Sequence, residues 1–277
     1  SIPVTLFVLV RGNIKRMEAA KRVVTEAGGS LNMADLVGDP VPDPENAAIP
    51  LQAAWARLQT PASNVHNRVG DMLNGADLTD QENADLAAWV TDSADIVEEL
   101  VQAVQKPRCH FTHDLSDPVR MELPYLSPAR ESARLLLASA VHSAREGDAE
   151  RAVELVLAAS RIADFMPRFV LICYLVELAI RDQVFKCVQL LEQVTGGLSA
   201  ELRQKLMATG TADPYSGIAS AIMGERCFGA FVFEKMMVDP AYFNDVPIEG
   251  PKLGFFPSLV TRPLFSYDYA VYLEYMN

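Results

Sequence analysis

Residues 128–194 read PARESARLLLASAVHSAREGDAERAVELVLAASRIADFMPRFVLICYLVELAIRDQVFKCVQLLEQV. Apolar residues recur at spacings of three and four on both sides of Gly147-Asp148, which predicts two amphipathic helices. So short a connection makes them antiparallel neighbours, a helical hairpin. Pro167 ends or kinks the second helix, and Phe169 to Val176 then follows as an unbroken apolar run. We predict that the helix beginning there is central and surrounded on all sides.

The composition favours an all-α fold. Half of the 277 residues are hydrophobic and only 8% are aromatic, with alanine and leucine prominent. The formal net charge of −12 repels nucleic-acid backbones and anionic lipid surfaces, which argues against a general nucleic-acid binder. We predict an irregular multi-helix bundle around the hairpin, with a single helical domain over residues 13–238.

The first twelve residues differ from the rest of the chain. Residues 1–10 are nearly all apolar, and Arg11, Lys15 and Arg16 follow at once. Such a segment is either a short buried strand or helix, since ten residues cannot span a bilayer, or the end of a truncated signal anchor. The anchor predicts a membrane partner and a location in the cell envelope. The alternative is a soluble cytoplasmic protein.

Helix signals also occur between the first residues and the hairpin. Thr79 and Glu82 have the spacing of a capping box, which predicts one long helix up to about Val104. Residues 59–78 lack a helical pattern and are predicted to be a loop.

The last segment, residues 239–277, is rich in proline and aromatic residues. From residue 240 onward it holds five prolines and nine of the chain's 22 aromatic residues. Proline interrupts helices, so we predict an extended segment that wraps around the bundle. A new, truncated helix is expected only from about Tyr267.

Several motifs occur in an order that resembles a known family. They are SLNMADL at 30–36, PVPDPENAAIPLQAAW at 40–55, RCHF at 108–111, the hairpin sequence at 123–164 and GERC at 224–227. The chain resembles a family of large helical proteins, abundant in planctomycete bacteria, that generally carry an N-terminal membrane anchor and a helical ectodomain. The resemblance covers residues 13–275 and is most specific at residues 44–48 and around Gly147-Asp148. It implies an anchored all-α protein and carries over no catalytic residues.

The hairpin also loosely resembles a tetratricopeptide repeat, because an alanine-rich helix, a Gly-Asp turn and a second helix follow one another. No second copy occurs at the interval of 34 residues that is typical of such repeats. We therefore predict repeat-like packing within a bundle and not a solenoid.

One dense cluster contains possible metal ligands, namely Cys109, His110 and His113. Thiolate and imidazole groups are typical zinc ligands. A structural zinc site takes four ligands, usually from two separated pairs, and the sequence contains no second Cys/His pair. We therefore predict no metal site and no cofactor, and expect a loop with Phe111 packed inward.

Charged residues interrupt two apolar helices. Glu177 and Arg181 are spaced i, i+4, where an ion pair forms readily. Glu225 and Arg226 lie next to Gly224, and the lack of a side chain at Gly224 allows a neighbouring helix to approach closely. These four residues are either structural ion pairs or the polar groups of a pocket with shifted pKa values.

Four aromatic residues of the last segment are candidates for an interface: Phe255, Phe256, Phe265 and Tyr267. Exposed aromatic side chains are typical anchors at the centre of an interface. The alternative is that they are staples that fill grooves between the helices of the bundle.

Two functions remain open on the sequence alone. The first is a non-catalytic, envelope-associated helical scaffold or protein-interaction domain, favoured because no catalytic or nucleotide-binding motif is present. Its expected partner is a protein, and nucleic acid is not expected. The second is an enzyme or small-ligand binder with a pocket between helices.

Overall fold

A computed structural model describes residues 2–58, 63–208, 214–239 and 258–276 of the chain; it does not describe the side chains of residues 2–10, 63, 64, 66, 214–216 and 258–264. Within these ranges the chain forms eleven α-helices, three short 3₁₀ helices and no β-strand, which confirms the all-α multi-helix bundle. The α-helices are α1 (Ile2–Glu26), α2 (Ala48–Arg57), α3 (Ser63–Leu73), α4 (Asp80–Asp92), α5 (Ala94–Ala103), α6 (Leu126–Arg145), α7 (Ala149–Asp164), α8 (Leu171–Val194), α9 (Ala200–Ala208), α10 (Pro214–Val238) and α11 (Ser258–Tyr275).

The hairpin of α6 and α7 is the centre of the fold. Gly147 forms its turn at a φ of +89°, a conformation that glycine adopts without strain. The Asp148 carboxylate then accepts a hydrogen bond of 2.9 Å from the Arg151 backbone N–H and caps α7. The core here consists of aliphatic residues of both helices and of α8.

The sequence predicts that α8, the helix that follows the hairpin, is surrounded on all sides by other helices. This prediction is wrong, because the helix that is surrounded is α6. Leu135, Leu136 and Leu137 are consecutive and fully buried, which requires neighbours on every side of α6. Those neighbours are α3, α4, α5, α7 and α8. In α8, by contrast, Ile172 and Leu175 are about half exposed within the described part of the chain. An apolar run shows that a helix has no polar face, but which helices cover it depends on the fold.

Two smaller predictions about helix positions are also wrong. Residues 59–78 contain α3, whose residues 69, 72 and 73 are buried in the main core. The predicted long helix after Thr79 is divided at Ser93 into α4 and α5. The capping box itself is present, since the side chains of Thr79 and Glu82 each accept a hydrogen bond from the other residue's backbone N–H.

A second layer consists of α1, α10 and α11. Its small core contains Met17, Ala20, Val24, Ala230, Tyr269, Ala270 and Leu273. The ring of Tyr269 stacks on Phe233 at 5.2 Å between centroids. This layer joins the main core through α10, which also packs against α8.

Helix α11 begins at Ser258, so the expectation of non-helical chain up to about Tyr267 is wrong. Pro263 lies in the second turn of α11 and removes only one intrahelical hydrogen bond there. The proline-rich residues 240–257 lie outside the described residues.

Residues 2–12 belong to α1, which continues without a break to Glu26. None of the helices in the described ranges combines the length and the apolar character that crossing a membrane requires.

Candidate functional site

A cavity of about 820 Å³ lies at one end of the hairpin. Four segments that are distant in sequence line it: residues 35–41, residues 107–113, the end of α7 with its connection to α8, and one side of α10 at Ser220 and Met223. Apolar side chains such as Phe165 and Phe169 lie beside arginine, histidine and aspartate side chains. A concave site that combines apolar lining with a few charged groups has the general character of a ligand pocket.

Asn46 positions the segment 107–113 against the start of α2. Its side-chain oxygen accepts hydrogen bonds from the backbone N–H groups of Ala48 at 3.0 Å and His110 at 2.9 Å. Its amide nitrogen donates to the His110 carbonyl at 3.0 Å. Because Asn46 is buried, these bonds satisfy polar groups that water does not reach, and they hold His110 at the cavity wall.

Cys109, His110 and His113 all line the cavity. Burial raises the pKa of the Cys109 thiol to about 12, so the thiol is protonated at neutral pH. A cysteine nucleophile requires the thiolate. Among the described residues, no group of three or more His, Cys, Asp and Glu side chains is arranged to hold a metal ion.

His113 is a neutral ring that belongs to a buried chain of hydrogen bonds. Burial, reinforced by the nearby His110, lowers the pKa of His113 to about 4. Nε2 of His113 lies 2.9 Å from the Tyr125 hydroxyl, which in turn lies 3.4 Å from Sγ of Cys173. Burial also raises the pKa values of Tyr125 and Cys173 above their ordinary values. At neutral pH the side chains of His113, Tyr125 and Cys173 are therefore uncharged.

A charged network lies behind the cavity wall and is centred on Glu177, whose side chain is only 2% exposed. Arg168 donates to both carboxylate oxygens of Glu177, at 2.8 and 2.7 Å. Arg181 donates to the same carboxylate at 2.9 Å, as its i, i+4 spacing predicts, and to Asp164 at 2.7 Å. Arg168 and Asp164 line the cavity, so the network couples a buried carboxylate to the cavity surface.

Glu225 and Arg226 lie elsewhere, at the contacts between helices. A side-chain oxygen of Glu225 accepts a hydrogen bond of 3.0 Å from the Leu171 N–H, a first-turn amide of α8 without an intrahelical partner. Arg226 is buried, and a Cβ atom on Gly29 would lie 2.4 Å from its guanidinium. Gly224 faces Phe169 so closely that a Cβ there would lie 1.6 Å from the Phe169 carbonyl oxygen.

The four candidate aromatic residues fall into two groups. Phe255 and Phe256 lie outside the described residues. Phe265 is half-buried on α11, and Tyr267 is 46% exposed beneath the Arg16 guanidinium, which lies 5.1 Å from the ring centroid. The contact with Arg16 joins Tyr267 to α1.

A second candidate surface is an apolar face, here called the α8–α10 face, formed by Leu171, Ile172, Leu175, Leu178, Ile218 and Ile222, all exposed within the described part of the chain. Leu171, Leu175 and Leu178 share one row of α8 because they are spaced by four and three residues. Gly217 packs on the Tyr174 ring and Glu225 bonds to Leu171, so the part of α10 that carries Ile218 and Ile222 packs against the start of α8. Sequence reasoning missed this face because it placed α8 inside the core.

Comparisons with family models, with curated proteins and with solved structures found no match to this chain. The cavity and the α8–α10 face are therefore interpreted from their own geometry.

Proposed function

We propose that this chain is a non-catalytic helical domain that binds a partner protein through the α8–α10 face. The observation that carries the proposal is the set of large aliphatic side chains on two neighbouring helices that stay exposed in the described part of the chain. Leu175 is 49% exposed, and Ile218 and Ile222 are 43% and 42% exposed. Apolar side chains exposed together on packed helices are typical of protein-interaction sites.

The geometry favours an amphipathic helix as the segment of the partner that binds. The row on α8 and the pair on α10 belong to two helices that pack together, and a third helix can place its apolar side chains against both. Tyr174 and Gly217 form a close contact between these two helices. The partner helix would cover the side of α8 that the described helices leave exposed.

The chemistry of the cavity supports a non-catalytic role. The Cys109 thiol is protonated and the His113 ring is neutral at neutral pH, as their pKa values of about 12 and about 4 require. Asp164, which lines the cavity, and Glu177, which lies behind its wall, are both engaged by arginines. Activated nucleophiles and general acids or bases instead have pKa values matched to neutral pH.

A location in the cell envelope with a membrane anchor follows only from the apolar first residues and from the family resemblance. The envelope location and the membrane anchor both remain predictions. The alternative function, binding of a small ligand, is favoured by one specific observation, the cavity of about 820 Å³.

Site-specific photo-crosslinking in native cells tests the proposed interface. A benzoyl-phenylalanine at position 175 should crosslink to a partner protein, and mass spectrometry should locate the crosslink in an amphipathic helical segment. Ile222→Glu, on the neighbouring helix α10, should abolish this product because a carboxylate would be desolvated in the complex.

Ile49 provides a matched control, since it is 46% exposed on α2, away from this face. The same crosslinker at position 49 should not give the product. Equal products from both positions, or crosslinks from position 175 only within the chain itself, would refute the proposed interface.

A further inference from the structure

We infer that the cavity beside the hairpin binds a small zwitterion of the class of apolar amino acids and short peptides. In this arrangement the ligand carboxylate lies on Arg161 and Arg168, and the ligand ammonium group lies on Asp39. The inference concerns a different surface from the α8–α10 face and does not depend on the proposed function.

The size and lining of the cavity suit such a ligand. Its volume of about 820 Å³ lies within the range of roughly 300–1,000 Å³ that is usual for small-molecule sites. Val37, Phe165 and Met223 supply apolar lining from three different segments. An apolar ligand side chain would bury its surface against them.

Two arginines on one wall are held in place before any ligand binds. Arg168 commits Nε and Nη2 to the buried Glu177, and Nη1 forms no hydrogen bond to a described residue. Arg161 donates from Nη2 to the Pro107 carbonyl at 2.9 Å, its Nη1 lies 3.6 Å from an oxygen of Asp164, and its guanidinium lies 4.8 Å from the Phe165 ring centroid. A guanidinium has five N–H donors, so both arginines keep donors for a carboxylate. Their fixed positions lower the entropic cost of binding.

A second wall, residues 35–41, supplies negative charge. Asp39 is exposed on this wall, and its carboxylate forms no hydrogen bond or ion pair with any described residue. Asp35 on the same wall accepts a hydrogen bond of 2.6 Å from the Ser30 hydroxyl. Asp39 is therefore the carboxylate on this wall that forms no polar contact with another described side chain, and it is available to a ligand ammonium group.

The presence of both charges selects a zwitterion over a simple ion. A plain anion drawn to the arginines would meet the unpaired Asp39, and a plain cation drawn to Asp39 would meet the arginines. A ligand with a carboxylate and an ammonium group satisfies both walls at once, and complementary charge of this kind confers specificity.

Isothermal titration calorimetry with leucyl-leucine and its two blocked forms tests the inference on the full chain. N-acetylation removes the ammonium charge and C-terminal amidation removes the carboxylate. Each modification should weaken binding about tenfold or more, which corresponds to about 1.4 kcal/mol, because it removes a charge-assisted hydrogen bond.

Two variants assign each charge to its wall. Asp39→Asn should weaken binding of the free dipeptide and leave binding of the N-acetylated form unchanged. Arg161→Gln should weaken binding of the free dipeptide and leave the amidated form unchanged. Both side chains are at the surface, with Arg161 40% exposed, so both variants should fold. Arg168 is left intact because its loss would strand the buried Glu177 carboxylate.

Asp77→Asn is the matched control, since Asp77 is also exposed but does not line the cavity, and it should bind like the unmodified chain. Thermal unfolding of every variant verifies folding. Absence of binding by the free dipeptide, or equal binding of free and blocked forms, overturns the inference.

Discussion

The main core and the second layer are stabilised in different ways. The core around α6 is large, combines aliphatic side chains with stacked aromatic ones such as Phe111 and Tyr125, and includes one buried carboxylate among the described residues, Glu177. In the layer of α1, α10 and α11, a small apolar core with Tyr269 as its one buried aromatic member in the described ranges is flanked by exposed ion pairs such as Arg16–Glu274, whose side chains are 42% and 45% exposed. Exposed pairs contribute little, so we expect this layer to depend on Tyr269 and its neighbours.

Buried and exposed charged contacts therefore do not contribute equally to the stability of the fold. A buried carboxylate that loses its arginines cannot be solvated, whereas an exposed pair that is broken returns to water. Four changes test this comparison, from the largest expected effect to the smallest.

Tyr269→Ala tests whether the second layer depends on aromatic packing. The ring is fully buried and stacks on Phe233, so its removal should lower the free energy of unfolding by about 3–5 kcal/mol. Hydrogen exchange should show the loss of protection mainly in α1 and α11. Arg16→Ala is the control and should leave unfolding nearly unchanged. An equal loss in the free energy of unfolding for Arg16→Ala and Tyr269→Ala would show that the layer does not depend on aromatic packing.

Glu177→Ala tests the buried network of the core. The variant leaves Arg168 and Arg181 without their shared carboxylate, and we expect a loss of about 3 kcal/mol in urea denaturation. Glu201→Ala is the matched control, because it breaks an exposed i, i+4 pair with Lys205 on α9. An equal loss in both variants would contradict a special role for burial.

Gly224→Ala tests the junction between the two regions. A Cβ at this position would meet the Phe169 carbonyl oxygen, a backbone atom that cannot move without shifting the start of α8. We expect a loss of about 2 kcal/mol in the free energy of unfolding. Gly70→Ala on α3 is the control: no atom lies within 4 Å of a Cβ there, so the change should be neutral or stabilising. A neutral Gly224→Ala would show that the α8–α10 contact is looser than described.

His113 should make the stability of the core depend on pH. Its pKa is lowered from 6.5 to about 4, so the folded state resists protonation while the unfolded state takes up a proton. The contribution of the neutral His113 ring to the free energy of unfolding is fully present above about pH 6.5 and is lost progressively as the pH falls toward 4. Between pH 7 and pH 5 we expect a decrease of about 1–2 kcal/mol, discounted for partial exposure of the ring. His113→Gln should remove this decrease, and an unchanged pH dependence would contradict it.

Much of the fold, but less of the site, could be predicted from the sequence. The hairpin, its Gly147 turn and the Glu177–Arg181 pair depend on spacings within one helix or one turn. Arg168 and Asp164 join the network across the connection between α7 and α8, and no periodicity connects them to Glu177. Asn46 was visible as part of a motif, but its hydrogen bonds reach His110, which lies 64 residues further along the chain.

By itself, the sequence determined that the chain is helical and where its central helices begin and end, because periodicity and capping act over a few residues. The tertiary structure decided which helix is surrounded. The apolar run after Pro167 predicts no polar face, yet α6 has neighbours on all sides and α8 keeps the exposed α8–α10 face. The cavity likewise exists only because four distant segments converge. Burial and cavities depend on contacts between elements, and local spacing carries no information about those contacts.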